Sequence, residues 1–446
     1  MATKPFRTLT LTALLAGTWG MAWSLDLQQA YDTALEQDAS IRASRAAAKV
    51  GRERLPQARA QLLPTLSAGM GRSKNRLETT APNLLGQEST TNDNYFSYNK
   101  TVSLRQPLFN KQRWAQYRQA EAQVDQAEAV LADDLQKLGV RVSGAYFEAL
   151  LADDQLALIQ AQKTTYTTQL DAARKALAAG SGTRTDIDDA QSRLDMAIAQ
   201  ELEARQNQDY TRRQLETLIN QPAGQLVTLD VERMPLLPPE PVRLEDWTRL
   251  AEDSSAELKA LQAQLEAARR EVEKAQAGHY PTLDAVAQWS DSGSENITRI
   301  NARYVNRTVG LQLSVPLYAG GYVSSTVRQA LADQERLTEA LEALRRDLGV
   351  RVHKEFRGVT EGILRVRALE QAVRSADQLV LSTRKSFQAG SRTQVDILNV
   401  EQSRMQALRD LAQARYMYLV SRIRLQALVG GDREAAIAEV NAWLKH

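Results

Sequence analysis

Leu138-Gly139-Val140-Arg141-Val142 and Leu348-Gly349-Val350-Arg351-Val352 stand 210 residues apart, and their recurrence decides how the chain is read. Ala179-Gly180-Ser181 returns as Ala389-Gly390-Ser391, and Asp186-Ile187 as Asp396-Ile397, at the same offset of 210. Pro64-Thr65-Leu66 matches Pro281-Thr282-Leu283 at 217, whereas Pro107-Leu108 matches Pro316-Leu317 at 209, so the first copy carries 8 extra residues between its prolines. Ordered matches of this kind mark a duplicated supersecondary unit.

Proline placement says what the unit contains. None lies between Pro107 and Pro222 or after Pro316, and proline costs roughly 3 kcal/mol inside a helix. These tracts are rich in Ala, Gln, Leu, Arg and Glu, all good helix formers. Leu337, Leu341, Leu344, Leu348, Val352, Phe356, Val359, Ile363 and Val366 recur in steps of three and four, the seam of a helix packed on other helices. Long helices are predicted over 112–178 and 323–388, each on the order of 100 Å at 1.5 Å per residue. No globular core needs that length. The proline cluster at 235–241 places an extended linker over 222–242, between a first repeat at 25–221 and a second at 243–446.

Between the paired prolines the period drops to two. Val309, Leu311, Leu313 and Val315 alternate with Gly310, Gln312 and Ser314, and Leu283, Ala285, Ala287 and Trp289 do nearly the same. Strands are predicted at 64–74, 95–106, 281–291 and 303–315, with the polar stretches 72–94 and 290–301 read as loops. One apolar face and one polar face is the pattern of a transmembrane barrel strand. Phe109 and Trp114 in one repeat, and Tyr318 and Tyr322 in the other, collect where strand meets helix, which suits a membrane-interface girdle. Four strands cannot close a barrel, and an open sheet edge cannot face hydrocarbon. A membrane-spanning reading therefore requires several copies of the chain; two, three or four satisfy it equally.

The first 24 residues read as an export signal: basic Lys4 and Arg7, an apolar run from Leu9 to Trp23, and the small-x-small site Ala22-Trp23-Ser24. Without Lys4 and Arg7 the remaining 54 Lys and Arg balance 54 Asp and Glu, which argues against nucleic acid as a partner. With no cysteine there is neither a thiolate site nor an acylated N-terminal Cys. His279, His353 and His446 are too far apart for a local metal motif, and no phosphate loop or hydrolase motif is present, so no enzyme activity, metal or cofactor is expected. Asp133-Asp134 and Asp153-Asp154 read as solvated helix charges.

Taken with the signal, the two repeats and the four strands, the chain resembles the TolC family of outer-membrane channels over essentially its whole mature length. That resemblance implies a mainly α fold with a β-barrel portion: a homotrimer whose shared transmembrane barrel continues into a long α-helical periplasmic tunnel. It implies a periplasmic adaptor and an inner-membrane ABC transporter or efflux pump as partners, beside outer-membrane lipid. The turns Gly180-Ser181-Gly182-Thr183 and Gly390-Ser391 would be the adaptor-docking tips, and would also cap helices in the ordinary way. By the same resemblance Thr185, Asp186 and Arg392 match a polar lock at the periplasmic entrance, and Gln169 a further link. Asp396 matches the carboxylate ring at the pore constriction. Three positions depart from the family pattern: Phe387 stands where a gate tyrosine is expected, Arg384 where a carboxylate would face Gln169, and Asn399 where a second ring carboxylate would lie. An Asp186–Arg392 pair is thus the expected closure contact. The missing N-terminal Cys and the Gly-Ser-Gly-Thr-Arg-Thr-Asp turn tilt the reading to type I protein secretion over multidrug efflux; a soluble periplasmic adaptor or scaffold is the more distant alternative.

Overall fold

The computed structural model describes residues 24–82, 86–295 and 302–445. The expected export signal lies outside them, apart from Ser24. The first copy runs β1 (Ser24–Leu25), α1 (Leu27–Gln37), α2 (Ala39–Arg52), α3 (Arg54–Ala60), β2 (Thr65–Pro82), β3 (Glu88–Phe109), α4 (Lys111–Ala178) and α5 (Arg184–Ile219). After β4 (Gln225–Leu226), the second copy runs α6 (Leu244–Ser254), α7 (Ala256–Gln276), β5 (Thr282–Ser294), β6 (Ala302–Ser314), α8 (Tyr322–Gln388), α9 (Gln394–Leu428) and α10 (Arg433–Asn441).

The 68 residues of α4 and the 67 of α8 each extend about 100 Å. Toward its C-terminus α4 pairs with α5, and toward its N-terminus with α2, α3 and α7; α8 packs likewise on α9, α6 and α7. Close approach has a local cause. A Cβ at Gly51 would lie 2.4 Å from the Ala127 Cβ, so only glycine lets α2 meet α4 there.

The main core sits where all these helices meet. Tyr31, Tyr146, Phe147, Leu215, Trp247, Val352, Leu419 and Leu444 are buried together. Two short parallel strands, β1 on β4, and a bridge between Leu229 and Leu444 bring the two ends of the chain to its middle. The Tyr146 hydroxyl is placed to donate to the carbonyls of Leu25 (3.0 Å) and Val227 (2.9 Å). Shorter helices α6 and α10 complete this belt.

The four long strands form one antiparallel sheet in the order β2-β3-β5-β6. Alternation separates its faces. Leu66, Ala68, Met70, Val102, Leu104, Val309, Leu311 and Leu313 share one face, and most stand exposed in the single chain. Ser67, Ser103, Thr101, Gln288, Ser290, Asn306 and Thr308 share the other. At the helical end of that polar face, Arg105 closes on buried Asp284 at 2.6 Å. Phe109, Trp114, Tyr318 and Tyr322 are all exposed at the strand–helix junction. Tyr280 joins them, with the Lys111 ammonium 3.6 Å from its ring centre.

Two expectations are corrected. Residues 72–82 and 88–94 are strand, not loop: β2 and β3 stay in register to Pro82–Glu88. Hydroxyl pairs such as Thr80–Thr90 (2.9 Å) support the extension, and polar residues on both faces erased the alternation that betrays a strand. In the second hairpin, residues 291–294 are likewise strand, while 296–301 lie outside the described residues. The paired acids are not simply solvated either. Asp153 accepts from Gln208 (2.6 Å) and Arg212 (3.0 Å), and Asp154 from the Tyr416 hydroxyl (2.7 Å). Burial raises the Asp154 carboxyl above its ordinary range.

Candidate gate at the hairpin tips

The α4–α5 and α8–α9 turns are built alike because their sequences are alike. Gly180 and Gly390 adopt φ of +75° and +76°, the left-handed conformation that ends helices and favours glycine. The next residue reaches back: Ser181 N–H donates to Ala176 O (3.0 Å) and Ser391 N–H to Ser386 O (2.9 Å). Thr183 and Thr393 then cap the following helices, accepting from the N–H groups of Asp186 (3.2 Å) and Asp396 (3.3 Å). Each carboxylate returns the contact, taking the N–H and hydroxyl of its own threonine. Both acids are therefore held in capping boxes. At Asp396 the Thr393 N–H leads in pulling the carboxyl below its usual range, so the group stays ionised at neutral pH.

The tips differ at three positions: Gly182, Arg184 and Thr185 stand where the second copy has Arg392, Gln394 and Val395. A Cβ on Gly182 would sit 2.9 Å from the Leu177 backbone nitrogen, and the matching position in the second copy is Arg392. Within one chain Arg392 lies 3.7 Å from Asp396. The expected Asp186–Arg392 contact is not formed within the subunit: Asp186 is engaged by Thr183, and Arg392 turns to the acid of its own first helical turn. Thr185 is exposed, and so is Phe387.

Gln169 and Arg384 each find another partner within the chain. Arg384 bonds buried Glu401 on α9, while buried Gln169 accepts from the Gln394 amide at 3.5 Å. Asn399 does not stand free either. Arg193 on α5 donates to it at 2.8 Å and to Gln402 at 3.0 Å, and is itself oriented by Asp189 (3.1 Å). A small cluster of Tyr166, Ala197 and Leu398 packs the two hairpins together just above these contacts. Arg193, Gln394 and Glu401 are thus contact residues at the tips that the sequence did not single out. No local motif marks them: Arg193 and Gln394 reach partners on the other hairpin, and Glu401 a partner on the facing helix of its own.

Four exposed turns and caps, two acids fixed at the helix starts and an arginine bridge between hairpins make a surface suited to docking and to holding two hairpins in one position. A family model for outer membrane efflux proteins matches residues 30–221 and 247–431. The protease secretion protein PrtF of Dickeya chrysanthemi is 32% identical over 441 residues, covering 98% of this chain and 95% of that one. The alkaline protease secretion protein AprF of Pseudomonas aeruginosa is 37% identical over 425 residues, covering 94% and 88%. Among solved structures, the outer membrane protein VceC of Vibrio cholerae superposes with a TM-score of 0.76 at 17% identity, over 91% of this chain and 96% of that one. The duplicated strand-and-helix unit is thus that of an outer-membrane transport protein, and the chain belongs to the outer membrane efflux protein family of TolC-type channels.

Proposed function

We propose that this chain is the exit duct of a type I protein secretion machine. Three copies pool their four-stranded sheets into one barrel, and the paired long helices continue it as a periplasmic tunnel. A periplasmic adaptor and an inner-membrane ABC transporter meet the tips. The observation that carries the reading is the sheet itself: one apolar face, one hydroxyl- and amide-lined face, and two edge strands, β2 and β6, with no partner among the described residues. Such edges close only against further copies. That largely uncharged polar face, with Arg105 and Asp284 paired to each other, then lines a water-filled lumen suited to a polypeptide. Cargo class is supported by the two protease-secretion relatives, which align over nearly the whole chain. Deleting the gene should remove one or more proteins from the culture medium while leaving drug tolerance unchanged. Intact secretion with lowered drug tolerance would instead assign the duct to small-molecule efflux.

At the closed entrance, Asp186 and Thr185 of one subunit face Arg392 of the next, and the Asp396 carboxylates form a single ring. Arg392→Ser should raise conductance in planar bilayers, and Asp396→Ala should reduce cation selectivity with little change in the open fraction. Unchanged conductance in the first variant would remove Arg392 from the lock. An exposed pair of this kind is worth about 0–1 kcal/mol, so the shift is expected to be partial.

A further inference from the structure

The apolar face of the sheet ends abruptly, on the side away from the helices, in a cluster of cations. Successive register rows read Leu66–Leu104–Ala287–Val309, then Ala68–Val102–Trp289–Arg307, then Met70–Lys100–Asp291–Val305, then Arg72–Tyr98–Gly293–Arg303. Lys74 and Arg76 continue the same face of β2. Six cations therefore stand where the apolar rows stop, against the buried carboxylate of Asp291 and the exposed Glu295 that also lines the cleft between them; Glu78 lies further out. Arg303 alone takes Asp291, in a two-point pair at 2.9 and 2.8 Å. Arg72, Lys74, Arg76 and Arg307 form no ion pair among the described residues, and all are exposed.

The cluster is held by aromatic rings. Tyr98 lies across Gly293, where a Cβ would come within 2.5 Å of the ring, and its hydroxyl points to Asp291 at 3.4 Å. Lys100 sits 5.8 Å from the Tyr98 ring centre and the Arg72 guanidinium 4.9 Å from that of Phe96. Between them is a cleft of about 680 Å³, lined by Met70, Arg72, Phe96, Tyr98, Lys100 and Arg303.

We infer that this cleft binds the phosphorylated head of an outer-leaflet glycolipid, with the acyl chains lying along the apolar rows beneath. From Leu313 to Val305 those rows span roughly 20 Å once the strands tilt, at about 3.3 Å per residue. That puts the cations at the outer edge of the hydrocarbon, where a lipid phosphate sits. Unpaired guanidinium groups match phosphate in geometry as well as charge, and a net cationic patch beside hydrocarbon selects an anionic lipid over a soluble anion because the chains bind too. The location follows from the outer-membrane assignment and does not depend on what the duct exports.

The full chain, purified in detergent as its native oligomer, is titrated with bisphosphorylated lipid A and with the same lipid after removal of both phosphates, read by native mass spectrometry. Wild type should bind the phosphorylated form at least tenfold more tightly. A triple variant, Arg72→Gln with Lys100→Gln and Arg307→Gln, should lose that preference while keeping wild-type channel conductance. Arg72→Lys with Arg307→Lys should retain it, which separates charge loss from misfolding if the glutamine variant assembles poorly. Equal affinity of wild type for the two lipids overturns the inference, as does a glutamine variant that still prefers the phosphates.

Discussion

Replacing Phe147 by alanine should collapse the oligomer before any other single truncation on the helices does. Phe147 is 1% exposed, its ring edge-on to Tyr146 at 5.7 Å and tilted against Tyr416 at 5.8 Å. Phe→Ala in a packed core costs about 3–5 kcal/mol, because the lost transfer energy is compounded by a cavity. Whole domains are stable by only about 5–15 kcal/mol. The site also joins α4 to α9, so the cavity loosens the junction on which both hairpins hang. The expected result is a sharp fall in outer-membrane yield and a lower dissociation temperature of the oligomer in semi-native gels. Tyr146→Phe sets the scale: it keeps the ring and deletes only the hydroxyl shared by Leu25 and Val227, for about 1–3 kcal/mol. Phe147→Ala as mild as Tyr146→Phe would mean that this belt is not the principal core.

Leu311→Lys should be nearly as damaging, for a reason invisible in one chain. Leu311 is 69% exposed, and a lysine at such a position in water changes stability by no more than about 0.5 kcal/mol. Facing lipid near mid-bilayer, it costs about 2–4 kcal/mol in every subunit. Gln312, its neighbour on the other face, gives the matched control: Gln312→Lys points into the lumen and should assemble normally. Recovery of both variants in the outer membrane at equal yield would mean that this face does not meet hydrocarbon.

The long helices were legible because helix periodicity is local: the predicted 112–178 became Lys111–Ala178, and 323–388 became Tyr322–Gln388. Strand positions were legible wherever one face met something apolar. Beyond that, at 72–82 and 88–94, pairing is carried by backbone and hydroxyl groups that leave no periodic mark. At the tips, Thr183-x-x-Asp186 and Thr393-x-x-Asp396 could be read as caps from spacing alone. The bridge from Arg193 to Asn399 could not, since it needs α5 and α9 to be neighbours, a consequence of packing two copies side by side. The Arg384–Glu401 pair spans only 17 residues, yet it too depends on how the hairpin is closed. The outward cation rows became visible once strand register assigned each residue to a face.

The belt joins the chain's beginning, middle and end, and that sets an order of events in biogenesis. Val227 donates to Leu25 and Lys445 to Thr228, while the Asn441 side chain accepts from Leu27 and Gln28 across more than 400 residues. Contacts so distant in sequence form late, after the loop-closure cost of everything between them has been met. A chain emerging from a membrane in N-to-C order thus has its first hairpin made long before the residues that fasten it. Until α10 arrives, the apolar strand face and the half-built belt both lie open to the aqueous space. A deletion of residues 433–445 would remove the Asn441, Trp443 and Lys445 contacts that fasten the start and middle of the chain to its belt, while leaving every earlier element able to form.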